Sequence, residues 1–144
     1  MCKPEKALEC FNNGFNCAQA VFSTYSEELG LDAETSLKVA GAFGGGMGHI
    51  DETCGAVTGA IMLIGLKYGK YKADDNAARE KSYSLAQVFA EKFKSIHGSL
   101  RCSELLGYDL SKDDELKAAR EKGLFKSICP VLVKDASEIV ESIL

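Results

Sequence analysis

The sequence lacks the local cysteine motifs by which many small metal-binding and redox proteins are recognised. Although the chain of 144 residues contains six cysteines, no two of them are separated by two residues. This spacing excludes zinc ribbons, thioredoxin-type motifs and ferredoxin-type clusters held by local runs, and there is no Cys-x-x-Cys-His motif for a c-type haem. A site that uses several of these cysteines must therefore be assembled from distant segments by the fold.

The sequence also lacks a basic run and a long apolar run. Its 17 lysines and arginines are scattered, and the net charge is -4, which argues against nucleic acid or an anionic membrane as a partner. The longest apolar run, residues 54–66, is shorter than the roughly 20 residues that span a bilayer, so we expect a buried helix and no membrane insertion. Residues 1–6 are charged and lack the apolar stretch of a secretory signal, which predicts a cytoplasmic protein with mostly reduced thiols.

Strand-like alternation is missing as well, and helical periodicity dominates wherever a pattern can be read. With 46% hydrophobic residues, a chain of this length can bury a stable core without disulfide bonds or a structural metal ion. We predict an all-α fold, a compact single-domain helical bundle of about six to seven helices over residues 1–144. A glycine-rich loop at residues 44–48 precedes the central apolar helix. The helices are expected at about 4–11, 16–29, 32–43, 53–68, 75–96, 113–121 and 130–143, with a short turn at 99–106.

Four of the cysteines lie where a predicted helix begins. They are Cys17, Cys54, Cys102 and Cys129. Their expected capping positions, in the same order, are Asn16, Thr53, Ser99 and Cys129 itself, which directly precedes Pro130. Unpaired amides and the partial positive charge at a helix start stabilise an anion, so a thiol placed there loses its proton more readily. We expect these four to converge as ligands or redox partners, although unbonded cysteines are also often simply buried small residues.

Two other features have weaker functional interpretations. The glycine-rich segment has no Lys-Ser or Lys-Thr after it, as a phosphate-binding loop would, and it does not match the glycine pattern of dinucleotide-binding proteins. Its glycines are instead expected to allow close backbone approach to a thiol or metal site. His49 and His97 each precede one of the four cysteines by five residues. A loop histidine is more often solvated than a ligand, and neither is assigned to the site.

The residues around the four cysteines resemble a small prokaryotic family of redox-active proteins, the C_GCAxxG_C_C family. The segment Cys54-Gly55-Ala56-Val57-Thr58-Gly59 is similar to its Cys-Gly-Ala-x-x-Gly signature. Residues 15–20, residues 102–107 and Cys129-Pro130 resemble its other cysteine segments, so the resemblance covers nearly the whole length. It implies that the four invariant cysteines of the family correspond to Cys17, Cys54, Cys102 and Cys129, and that Cys2 and Cys10 lie outside the pattern.

The resemblance implies a redox or iron-sulfur role, and three hypotheses remain open. In the first, the four cysteines bind one iron-sulfur (2Fe-2S) cluster and exchange electrons with a redox partner protein. In the second, cysteine pairs act as a dithiol and disulfide. In the third, the same four residues bind zinc in a structural or sensing module. A homodimer is also expected, because the central helix is apolar around much of its circumference.

Overall fold

The computed structural model describes residues 1–144 and contains α-helices but no strand. Seven helices have eight or more residues, which agrees with the predicted fold class and helix number. They are α1 (Lys3–Asn12), α2 (Cys17–Ser26), α3 (Ala33–Ala40), α5 (Gly55–Tyr68), α6 (Asn76–His97), α8 (Asp113–Glu121) and α10 (Cys129–Ile143). The shorter segments are α4 (Gly44–His49), α7 (Cys102–Leu106), α9 (Leu124–Ser127) and a 3-10 turn, Glu27–Leu29, that follows α2.

Helix α5 is the centre of the bundle, as its apolar sequence predicts. It packs against α2, α6 and α10, and Val57, Ala60 and Leu63 are fully buried in these contacts. A Cβ atom added at Gly59 would lie 2.9 Å from the carbonyl oxygen of Ala18 in α2. The glycines of α5 therefore allow α2 to cross it at close range, and no helix combines the length and hydropathy needed to span a bilayer.

The buried apolar side chains form two clusters of unequal size. The larger contains 21 buried residues, drawn mainly from α1, α2, α5, α6 and α10, and includes Cys17 and Cys54. The smaller contains five buried residues, among them Cys102 and Cys129. Each cluster thus supplies two of the four cysteines.

The glycine-rich segment is a left-handed turn, where the sequence predicted a loop. From Gly45 to Gly48 the φ angles lie between 64° and 73°, and His49 has φ 64°. Left-handed backbone costs an ordinary residue about 1–2 kcal/mol, a penalty that glycine does not incur. Met47 and His49 are therefore held in a strained conformation by their surroundings. Helix α3 ends at Ala40, before the expected position near residue 43, because the chain must turn into this segment.

Candidate functional site

The four predicted cysteines line the same cavity, which has a volume of about 600 Å³. Their side chains are buried, with exposed fractions between 4% and 9%. Cys2 is exposed, Cys10 is half-buried, and neither lines the cavity. Because two of the four cysteines belong to each apolar cluster, the cavity lies where the two clusters meet. None of the cysteines forms a disulfide.

Cys17 is the first residue of α2, and a capping box built on the predicted cap, Asn16, fixes its position. The side chain of Asn16 accepts a hydrogen bond from the Gln19 amide at 2.9 Å, and the Gln19 side chain accepts one from the Asn16 amide at 3.0 Å. Asn16 Nδ2 also donates to the carbonyl oxygen of Gly41 at 2.9 Å. The start of α2 is thereby joined to the chain that follows α3.

The other three cysteines also lie at helix starts, but the predicted caps are wrong. Cys54 is itself the N-cap of α5, Cys102 is the first residue of α7 after Arg101, and Cys129 is the first residue of α10. Ser99 does not cap α7; its hydroxyl oxygen accepts a hydrogen bond from the Arg101 amide at 3.0 Å. At Cys54 and Cys102 the backbone amides bond to a distant segment, and a local capping pattern does not predict such contacts.

The segments that carry Cys54 and Cys102 are joined by backbone hydrogen bonds. The amide of Cys54 donates to the carbonyl of Leu100 at 2.8 Å, and the amide of Cys102 donates to the carbonyl of Glu52 at 3.0 Å. These bonds form an isolated antiparallel bridge at Thr53. Two cysteines that are 48 residues apart in sequence are thus held side by side by the main chain.

A buried carboxylate, Asp51, reinforces this connection. It is 6% exposed and accepts a hydrogen bond from the Ser103 amide at 3.1 Å. Arg101 donates from Nε to the Asp51 carbonyl at 3.1 Å and pairs with its carboxylate at 3.3 Å. No local sequence pattern around Asp51 indicated that it would bind the start of α7.

Glycines lie directly against two of the cysteine side chains. The sequence predicted this close approach of the backbone to a thiol site. A Cβ atom added at Gly46 would lie 2.8 Å from Cys102 Cβ, and one added at Gly55 would overlap the Cys17 sulfur. Gly46 also has φ 73°, a conformation that other residues rarely adopt. The glycine-rich turn therefore forms one wall of the cysteine cavity.

Cys17 differs from the other cavity cysteines in its protonation. A hydrogen bond from the Cys54 thiol outweighs burial and, together with the amides of Gly45 and Ala18, lowers the pKa of Cys17 to about 6. The same interaction, together with burial, raises the pKa of Cys54 well above its ordinary value. Cys17 is therefore the thiolate of this pair, and Cys54 is the proton donor.

Burial dominates at the remaining two cysteines. It raises the pKa of Cys102 and of Cys129 to about 12, with further increases from the negative charge of Cys17. Of the four cysteines expected to favour the anion, only Cys17 does so in the free protein. Loss of solvent outweighs the field of a helix start at the other positions.

The metal-free, reduced protein is expected to contain one thiol that titrates near pH 6, because the Cys17 thiolate is stabilised by donors that Cys102 and Cys129 lack. As pH rises through about 6, the ultraviolet absorbance of the protein should increase by one thiolate per chain. Cys17→Ser should abolish this step, whereas Cys10→Ser should leave it in place. A first thiolate that appears only above pH 8 would contradict the assignment.

The two histidines have different surroundings. His49 lines the cavity. His97 does not; its Nε2 lies 2.9 Å from the Asp135 carboxylate, and its ring packs on Phe93. Sequence reasoning also missed Arg120, which lines the cavity from α8, since no local motif surrounds it.

The side chains are not arranged around a single metal ion. No group of three or more histidine, cysteine, aspartate and glutamate residues has the geometry to hold one ion. The four sulfurs instead border a cavity that is larger than one ion with its ligands at about 2.3 Å would need.

Comparison with known proteins agrees with the cysteine pattern. Residues 15–143 match the profile of a protein family described as "Putative redox-active protein (C_GCAxxG_C_C)". The matched region contains all four cavity cysteines, whereas Cys2 and Cys10 precede it. No curated protein and no solved structure matches the chain. The chain belongs to the C_GCAxxG_C_C family of putative redox-active proteins.

Proposed function

We propose that this protein transfers electrons through an iron-sulfur cluster of the 2Fe-2S type, bound by Cys17, Cys54, Cys102 and Cys129. The observation that carries the proposal is that these four line one cavity, while the other two cysteines of the chain do not. Four cysteine thiolates are the common ligand set of such a cluster. The family's redox description is consistent with this chemistry.

The size of the cavity and the placement of the sulfurs favour a cluster over a single zinc ion. A structural zinc site holds its four ligands in a closed tetrahedron, and no three side chains here are placed around one ion. A group with two irons and two sulfides occupies more space and can contact sulfurs that are further apart. The cavity volume of about 600 Å³ is large enough for such a group, which supports the proposal.

The surroundings of the cysteines also suit a cluster. When bound, the cluster would supply one-electron chemistry, and the protein would set its environment. The amide of Gly45 helps to lower the pKa of Cys17, and amide donors to cluster sulfurs adjust the reduction potential. The apolar side chains of Phe11, Leu106 and Leu132 line the cavity and make that part of its wall apolar. Because Cys102 and Cys129 are protonated in the free protein, cluster binding must release protons, and low pH should oppose it.

One observation favours a second function, thiol-disulfide exchange by Cys17 and Cys54. The pKa of Cys17 is lowered to about 6, chiefly by its interaction with the Cys54 thiol. A thiolate of this kind could attack the disulfide of an oxidised substrate, releasing one substrate thiolate and forming a mixed disulfide. The Cys54 sulfur, after losing its proton, would then displace the second substrate thiolate and leave a Cys17–Cys54 disulfide.

Anaerobic purification followed by metal and sulfide analysis tests the proposal. We expect a coloured protein with two irons and two sulfides per chain, as the 2Fe-2S formula requires, and a visible spectrum that bleaches on reduction. A colourless protein that loses two thiols on mild oxidation would support the dithiol function instead. One zinc per chain, without iron or sulfide, would contradict both functions.

A further inference from the structure

The cavity that the four cysteines line also has features of a small-molecule site, and a ligand would occupy the part of it that a cluster leaves free. Its volume, about 600 Å³, lies within the range of about 300–1,000 Å³ that is usual for ligand pockets. Apolar side chains form much of its wall, including Phe11, Phe125 and Leu105. A mainly apolar wall with a few polar groups is typical of sites that bind small organic molecules.

The charges around this cavity are unlike those of the whole protein. The chain has 21 acidic residues and a net charge of -4, yet no aspartate or glutamate lines the cavity. Arg120 is the only cationic side chain in the lining, and the Cys17 thiolate is the only anionic one. Arg120 is therefore the one group in the lining that would attract a negative ligand.

Arg120 is also the one arginine of the chain without an acidic partner. Arg79 pairs with Glu80, and Arg101 pairs with Asp51. Arg120 takes part in none of the ion pairs of the structure. A planar guanidinium can bind a carboxylate, sulfonate or phosphate through two parallel hydrogen bonds, and this one is free to do so.

We propose that the cavity binds a small organic anion with an apolar or aromatic body, anchored through its acidic group by Arg120. The apolar body would lie among Phe11, Phe125 and Leu105. This inference rests on the proposed function only in that the ligand would lie beside the redox site; binding itself does not require a cluster.

Fluorescence titration with 8-anilinonaphthalene-1-sulfonate tests the proposal, because this dye combines an aromatic body with a sulfonate. We expect saturable binding at one site per chain of the anaerobically purified protein. Arg120→Gln should raise the Kd about tenfold or more, the effect of losing a charge-assisted hydrogen bond. Arg120→Lys should lose less affinity, and Arg79→Gln, which removes an arginine remote from the cavity, should leave the Kd unchanged.

An uncharged analogue provides a second control. N-phenyl-1-naphthylamine lacks the sulfonate, so it should bind more weakly, and Arg120→Gln should not affect it. Equal dye affinity in Arg120→Gln and Arg79→Gln would overturn the proposal. Arg120 would then serve only to balance the negative charge of the cysteines. Because dye binding and iron content are measured separately, dye binding without iron would contradict only the cluster, and iron without dye binding would contradict only this inference.

Discussion

Replacement of any one of Cys17, Cys54, Cys102 or Cys129 by serine is expected to remove most of the iron and sulfide from the anaerobically purified protein. The four side chains face one cavity, and a cluster held by four thiolates loses a covalent ligand in each variant. A serine hydroxyl keeps its proton near neutral pH when free and is a much weaker ligand for iron than a thiolate. Iron analysis, sulfide analysis and the visible spectrum measure the loss.

The chain contains matched controls for this experiment. Cys2 and Cys10 lie outside the cavity, so Cys2→Ser and Cys10→Ser should retain the iron and sulfide of the unchanged protein. The dithiol function gives a different pattern, in which Cys17→Ser and Cys54→Ser abolish exchange activity while Cys102→Ser and Cys129→Ser retain it. If all four cavity variants keep their iron, the cluster proposal is wrong.

Alanine at Gly59 is expected to destabilise the protein, whereas alanine at Gly65 in the same helix should stabilise it. The new Cβ at residue 59 would lie 2.9 Å from the Ala18 carbonyl oxygen and 3.3 Å from Val21 Cβ, so α2 and α5 would have to separate. Such overpacking costs about 1–3 kcal/mol, more than the gain of about 1 kcal/mol from replacing a helical glycine. At Gly65 nothing lies within 4 Å of the added atom, so only the gain in stability from replacing a helical glycine remains.

Thermal and urea unfolding would measure both variants. In a chain of this size, a change of 1 kcal/mol moves the melting temperature by about 2–4 °C. Gly59→Ala should lower the melting temperature, and Gly65→Ala should raise it by up to that amount. Because α2 and α5 also carry Cys17 and Cys54 at their starts, Gly59→Ala should also weaken iron binding. Equal shifts of the same sign in the two variants would show that α2 and α5 do not cross closely at Gly59.

Local sequence patterns predicted the helices well where local interactions define them. The Asn16 cap of α2, the helix expected at about 75–96 and the end of the turn at residue 106 are all present in the structure. Prediction was poorer where tertiary contacts set a boundary. The start of α5 at Gly55 depends on the bonds that Cys54 makes with a segment far along the chain, and the left-handed turn of residues 45–48 has no periodic signature.

The expectation of a homodimer illustrates the same limit. It rested on the apolar circumference of α5, but α2, α6 and α10 cover that helix within the chain. The sequence shows that a helix needs apolar neighbours, and it does not show whether they belong to the same chain. The homodimer stays a prediction without support from this surface.

The sequence by itself determined the all-α class, the main helices and the separation of Cys17, Cys54, Cys102 and Cys129 from the other two cysteines. These properties follow from periodicity, caps and motifs within short segments. Only the tertiary structure decided that the four line one cavity, that Arg120 borders it and that Cys17 alone favours the thiolate. The physical reason is that burial, hydrogen-bond partners and neighbouring charges come from distant residues, and burial outweighs the local effect of a helix start.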